Sequence, residues 1–440
     1  MRLTTCAAGA IIVFTLTTDI AEAQQAPAAN QGAIAAPAYR AEASMQDDFL
    51  RQETVTTRAH PETDAQGVTA DSWIILPRVG VEEKFNDNIY ATNSGTLTDF
   101  ITTVAPDILV RSNWNNGLVT FDANSSSGIY ASHTTENFND YSFAGTGRLD
   151  ITRQDYLAVR GGYYYMHEER TSPNNNFGIE PTTYGLTDAE IEGYSKLNRV
   201  SFTADGILNK YEYNNVGTPS GAFIPNKDRS RNEYSGSLRV GYEIQPLLEA
   251  FVKGVGSDRS YDHKTAVDGF QRSSIGYAVT AGVALDLGGI TFGELGVGYM
   301  SRSYDDIRFG TVHGVTANAA LTWNVTPITT VRLNGQRTIE ETINFGSPGF
   351  ISSLGTLSID HELLRNLLLN ANGGINYNDY QLIPRRDTIA FGGVGATYLM
   401  NRNMNLSVKY SYRNQDSNVT VPTPLSYSQN LALVRLTLQM

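Results

Sequence analysis

The chain has 440 residues, of which 41% are hydrophobic and 10% aromatic, yet its mean hydropathy is negative, and no stretch approaches the roughly 20 apolar residues of a membrane-crossing helix. Its formal net charge of −12 argues against a nucleic-acid partner, which calls for a basic face. The single cysteine, Cys6, excludes a disulfide framework.

The first 23 residues read as a signal peptide. Arg2 supplies a positive start, Ala7 to Leu16 a short apolar core, and Ala21-Glu22-Ala23 a small-residue cleavage site before Gln24. Cys6 lies upstream of that core, so it is expected to leave with the leader. Residues 24–72 are rich in Ala, Gln, Pro and Glu. They offer little to bury, so a flexible periplasmic segment is expected there. A plug or a partner-docking element is the alternative, and Met45 to Val55 is the one place for a short helix.

From Trp73 to Met440 the pattern changes to alternation. Arms of strand-like period two are expected at 73–86, 97–112, 117–131, 138–152, 155–168 and 182–195. Further arms follow at 199–214, 230–244, 248–261, 270–287, 290–304 and 311–324. The last are 328–343, 352–362, 367–379, 388–400, 404–413 and 427–440, which makes about 18 arms, an even number as in bacterial outer-membrane barrels. The hairpin from Phe270 to Tyr304 shows the unit most clearly. Ile275, Tyr277, Val279, Ala281 and Val283 share one parity, while Ser274, Gly276, Thr280 and Gly282 share the other. Gly288-Gly289 then supplies the tight turn. Arms this long exceed an ordinary soluble strand but suit a tilted strand of roughly 9–11 residues crossing a bilayer.

Turn lengths alternate too. Tight turns such as Arg153-Gln154-Asp155, Gly288-Gly289 and Asn401-Arg402-Asn403 are assigned to the periplasm. Longer polar loops, including 170–181, 216–229, 263–269 and 346–350, are assigned to the outside. Tyr261, Tyr304 and Tyr380, and Phe85 with Asn86-Asp87-Asn88, close several arms with an aromatic beside Asn or Asp. These aromatics are expected to form a girdle at the membrane interface. The fold class is therefore all-β: a transmembrane antiparallel β-barrel of about 18 strands over residues 73–440, preceded by a signal peptide and a flexible periplasmic segment.

Motifs of catalysis are absent. The histidines have no H-E-x-x-H spacing, no G-x-S-x-G elbow occurs, and Gly392-Gly393-Val394-Gly395 sits mid-strand without a following helix. No enzyme activity, cofactor or metal is expected. The chemistry instead falls on the parity opposite the apolar one, which faces the lumen. That parity holds Arg239, Glu243, Glu294, Arg302, Arg332, Asn334, Asn370, Asn372, Lys409 and Arg413, the candidate lumen-lining residues. Charge on the lipid side near the midplane would cost roughly 2–4 kcal/mol. A wall of Asn, Gln, Ser, Arg and Glu with occasional Tyr suits a carbohydrate passing along it.

The leader, the proline-bearing lead-in and the full-length run of hairpins resemble the outer-membrane β-barrel porin family associated with exopolysaccharide export (beta-barrel porin 2-like). The stretch Asn226-Lys227-Asp228-Arg229-Ser230-Arg231, followed by Glu233-Tyr234 and Leu238-Arg239-Val240-Gly241-Tyr242-Glu243, carries the resemblance best. One departure is the end of the chain, Leu436-Thr437-Leu438-Gln439-Met440, where such barrels usually finish on an aromatic. The resemblance implies an outer-membrane channel, a conduit for export of a surface polysaccharide. It also implies outer-membrane lipid, lipopolysaccharide, the polysaccharide and periplasmic export proteins as partners. A general diffusion porin is the alternative within transport. From other classes, the alternatives are a barrel enzyme modifying lipid or lipopolysaccharide and a barrel used for surface adhesion.

Overall fold

A computed structural model describes residues 53–114, 116–266, 268–420 and 424–440. The expected signal peptide, and the Met45–Val55 helix apart from its last three residues, lie outside them.

Among the described residues nineteen strands join one sheet, and eighteen of these close on themselves. The first six are β1 (Trp73–Asn86), β2 (Asp99–Ser112), β3 (Gly117–Tyr130), β4 (Phe138–Asp150), β5 (Asp155–His167) and β6 (Thr183–Leu197). The next six are β7 (Val200–Tyr213), β8 (Arg231–Gln245), β9 (Leu248–Tyr261), β10 (Ser274–Asp286), β11 (Thr291–Tyr304) and β12 (Thr311–Thr326). The ring is completed by β13 (Thr329–Glu340), β14 (Phe350–Leu364), β15 (Leu367–Tyr380), β16 (Arg386–Asn401), β17 (Met404–Ser417) and β18 (Tyr427–Gln439). Each strand pairs antiparallel with the next, and β18 returns to β1 in a register running from Arg78↔Gln439 to Asn86↔Leu431. Closure leaves the ring of eighteen without an edge strand, and the ladders between neighbours supply the backbone partners that hydrocarbon cannot. The nineteenth strand, Val68–Ala70, folds back on Trp73–Ile75. Gly288 and Gly289 turn β10 into β11 with φ of 67° and 80°, a left-handed pair that side chains on both residues would strain.

Period two sorts the side chains. Ile275, Val279, Val297, Leu238, Val408 and Tyr410 stand exposed on the outer wall, the surface that lipid covers. Their neighbours Ser274, Ala278, Met300, Arg302 and Ser407 are buried on the inner wall. Arg337 belongs to the outer parity, where it donates to the Ser353 hydroxyl and the Val315 carbonyl. It sits three residues before the end of β13, towards the external rim rather than the midplane.

Three expectations are corrected. Phe270 and Ile343 do not extend their strands. Phe270 packs edge-on against Phe309 with ring centroids 4.9 Å apart, and residues 341–343 follow the end of β13. The tyrosines of the expected girdle point inward: Tyr261 and Tyr304 are 7% exposed and Tyr380 3%. Tyr304 joins an interior cluster with Met300, Phe309, Val312, Ile339 and Ile351, and Tyr380 packs tilted against Phe350 at 4.8 Å. Their Asn/Asp neighbours suggested the membrane interface, but parity places these rings beneath the loops. Phe85 alone of the set packs on an outward ring, Phe100, at 5.2 Å. Finally, residues 53–72 are not a free lead-in, because they pack along the barrel rim, as set out below.

Candidate functional site

Side chains on non-adjacent strands meet only through the interior, and such contacts identify the inner wall. Arg239 on β8 pairs with Glu249 on β9 at 2.6 Å and lies 4.0 Å from Glu294 on β11. Its guanidinium covers the Phe251 ring at 4.2 Å. Glu294 accepts a hydrogen bond from the Asn318 amide at 3.0 Å. Arg302 on β11 donates to the Ser257 hydroxyl at 2.7 Å and to the Ser274 hydroxyl at 3.0 Å. Glu243 sits near the opposite end of β8, bonded at 2.7 Å to Lys196 of β6.

A second group gathers on Asp360. Arg332 pairs with one of its oxygens, and the Asn370 amide donates to the other at 2.7 Å. Asn372 in turn donates to Asn370 at 3.0 Å. Asn334, between these residues on the same wall, is exposed. Lys409 and Arg413 stand apart on β17. Lys409 lies beside Gly395, and a methyl group there would come within 3.1 Å of its stem. Arg413 donates to the Tyr427 hydroxyl at 2.9 Å. The ten predicted residues thus fall into one cluster around Arg239, Glu294 and Arg302, one around Asp360, and three outliers.

The end carrying the tight turns holds a strap. The Glu53 carbonyl accepts from the Asn324 amide at 2.8 Å, and the Val55 amide donates to the Thr330 hydroxyl at 3.0 Å. Arg332 reaches the Thr54 and Thr56 hydroxyls at 3.1 and 2.5 Å, and Arg58 pairs with Glu362 at 3.1 Å. Farther on, Arg402 donates to the Pro61 carbonyl at 2.9 Å, and the Gly67 amide to the Met440 carbonyl at 3.0 Å. The segment therefore follows the rim from the β12–β13 turn round to β1. Val55 is 1% exposed, so it is seated inside the rim.

At the other end the long loops interlock. Arg229, after β7, is clamped by Glu168, after β5, through two bonds of 2.8 and 3.0 Å. The Asp228 carboxylate accepts from the Ala266 amide of the β9–β10 loop at 2.5 Å. In that loop Arg272 pairs with Asp268 at 2.7 Å and donates to the Ser347 carbonyl of the β13–β14 loop. Arg385, after β15, donates to Asn344 at 2.8 Å. One contact crosses the mouth: the Asn174 side-chain oxygen, in the β5–β6 loop, accepts from the Ile343 amide at 3.1 Å and from the Thr342 hydroxyl at 3.4 Å. Those two hairpins stand on opposite sides of the ring, so the loops form a roof.

Beneath the roof, Glu341 accepts from Tyr261 at 2.7 Å and pairs with Arg259, while Arg231 bonds Glu233 at 2.6 Å. Burial alone would raise the Glu341 carboxyl, but Arg259, Arg231, Arg302 and the Tyr261 hydroxyl together hold it below the ordinary range. Asp268 is likewise held low: burial opposes this, and the Thr265 hydroxyl, Arg272 and two backbone amides outweigh it. None of these roof residues is among the ten predicted lumen-lining residues, although parity places Glu233 inside. Arg231 and Glu233 share the inward parity and carried a signal; Glu168, Asp268 and Asn174 lie in loops, where parity is silent.

The chain matches the model of the family described as Putative beta-barrel porin 2 over residues 60–440, and it belongs to that family. It is an outer-membrane β-barrel of porin type. No curated protein matches the sequence. Among solved structures it is similar to the ferric enterobactin receptor of Pseudomonas aeruginosa, at 10% identity and a TM-score of 0.44, over 86% of this chain and 81% of that one. It is also similar to OpdK of Pseudomonas aeruginosa, solved with vanillate, at 10% identity and a TM-score of 0.44, over 83% of this chain and 99% of that one.

Proposed function

We propose that this barrel is a conduit through which a surface polysaccharide leaves the cell. The observation that carries the reading is the row of side-chain amides on the inner wall of β13 and β15: Asn334, Gln336, Asn370 and Asn372. Side-chain amides present donors and acceptors together, so they exchange hydrogen bonds with successive sugar hydroxyls without holding any one of them firmly. The charges nearby are largely paired, Arg332 on Asp360 and Arg239 on Glu249, which moderates the trapping of a charged polymer. On this reading, lipid and lipopolysaccharide contact the outer wall, and periplasmic export proteins meet the strap end. Passage requires the roof to swing aside.

Deletion of the gene tests the reading. Polymer should disappear from the cell surface and accumulate in the periplasm, and should return when the gene is supplied in trans. Unchanged surface polymer in the deletion strain overturns export. Free entry of small sugars into liposomes, with the polymer excluded, assigns general diffusion instead.

A further inference from the structure

Between β8 and β13 the inner wall opens into a recess bordered by Arg239, Phe251, Glu294, Arg302, Asn318 and Gln336. Arg302 is 3% exposed, yet its bonded partners are the Ser257 and Ser274 oxygens. Among the described residues no carboxylate lies within 4.0 Å of it. Glu233 and Glu341, which act on it from farther away, are already engaged by Arg231 and Arg259. A buried cation is ordinarily paired.

The wall is shaped to hold this cation in place. A methyl group on Gly276 would come within 2.7 Å of the Arg302 guanidinium and 3.0 Å of the Ser257 hydroxyl, so glycine is what lets the side chain lie flat. Across the recess, Asn318, Gln336 and Thr338 offer amide and hydroxyl groups, while Ala278 and Met300 supply an apolar floor. Cation, hydrogen-bonding rim and apolar floor match the carboxylate, the hydroxyls and the ring face of one acidic sugar unit.

We propose that this recess is a binding subsite for a carboxylated sugar of the passing polymer, with Arg302 receiving the carboxylate. This rests on the export reading and names its substrate class. The guanidinium forks onto the carboxylate, in a confined space where the walls focus its field. Glu294 limits that field, so a transported unit is held briefly rather than captured.

The test is binding by the purified full chain in detergent, using a hexuronate oligomer and the uncharged hexose oligomer of equal length. The hexuronate should bind at least tenfold more tightly, with affinity falling as salt rises. Arg302→Gln should weaken hexuronate binding at least tenfold, remove most of the preference for hexuronate over hexose, and keep the heat-modifiable migration of a folded barrel. Arg302→Lys should restore part of the affinity. Should Arg302→Gln not assemble, Ser257→Ala and Ser274→Ala, which loosen Arg302 without removing it, should each reduce hexuronate binding. Equal binding of the two oligomers, or hexuronate binding untouched by all these changes, overturns the subsite. The gene deletion judges export separately: hexuronate selectivity in a protein whose loss leaves surface polymer unchanged keeps the subsite's anion chemistry and removes its place in export.

Discussion

The roof should open when its cross-mouth contact is removed. Asn174 holds the β5–β6 loop to the β13–β14 loop through one side-chain oxygen, with bonds of 3.1 and 3.4 Å. A net hydrogen bond contributes about 0.5–1.5 kcal/mol, and both bonds here are at the long end. Asn174→Ala should therefore destabilise the closed roof by about 1–2 kcal/mol, a factor of roughly 5–30 in the closed-to-open ratio. The barrel itself should be untouched, because no strand contact is lost. Single-channel recording in planar bilayers should show open time rising by that factor with the open conductance unchanged. The reciprocal arm uses Asn174→Cys and Thr342→Cys, joined by a short bifunctional thiol reagent. Cross-linking should abolish the long openings, and release of the linker should restore them. If neither the alanine variant nor the cross-link changes gating, the contact does not hold the mouth and the roof argument fails.

Four other outcomes are expected. Val297 is 60% exposed on the outer wall, so Val297→Arg should cost about 2–4 kcal/mol at membrane depth; less heat-modifiable barrel on gels checks it. Val55 is 1% exposed under the strap, so Val55→Asp should release the segment and let trypsin cut after Arg58 in the folded protein, where the parent resists. A thiol label at Ser220→Cys should be reached from outside intact cells and one at Asn403→Cys should not; the reverse pattern inverts the barrel. Because Glu341 and Asp268 are held below their ordinary carboxylate values of 4.5 and 3.8, their share of roof stability is fully present above about pH 5 and is lost as pH falls through their depressed values. The share of these two groups should thus be lost only below about pH 4, and a roof whose gating does not change between pH 5 and 3 would contradict it.

The strands were legible because period two leaves a mark on every residue. The arms expected at Trp73–Asn86 and Leu248–Tyr261 coincide with β1 and β9, and most other ends differ by a few residues. The errors share one physical origin. Alternation says which side of a wall a residue faces, but it does not say where the wall stops. Phe270 and Ile343 are apolar residues just beyond the last ladder pair, so they lengthen the expected strands although they belong to the roof. Tyr261, Tyr304 and Tyr380 were placed at the membrane interface by their Asn/Asp neighbours, although counting from Val252, Val297 and Ile375 puts all three on the inner parity. The strap was unreadable for another reason. Its Thr54, Val55 and Thr56 are held by Arg332 and Thr330, more than 270 positions later, and nothing in a polar lead-in marks such partners.

The two kinds of contact in this molecule also divide its stability from its motion. The barrel is held by a ring of ladder bonds, with an apolar outer wall that only lipid can cover, and opening it would leave backbone groups unpaired in hydrocarbon, at several kcal/mol each. Side-chain bonds to loops and strand ends supply much of what holds the roof and the strap, among them Asn174 to Ile343, Arg272 to Ser347, Arg332 to Thr56 and Arg58 to Glu362. When these part, water replaces each partner, so the net loss per bond is only about 1 kcal/mol for neutral groups and somewhat more for charged ones. Local opening draws on such weak, wet contacts while the rest of the fold stays closed. Both mouths can therefore move without drawing on the stability of the wall. A conduit for a polymer needs this arrangement, because the wall has to stay sealed against lipid each time an end gives way.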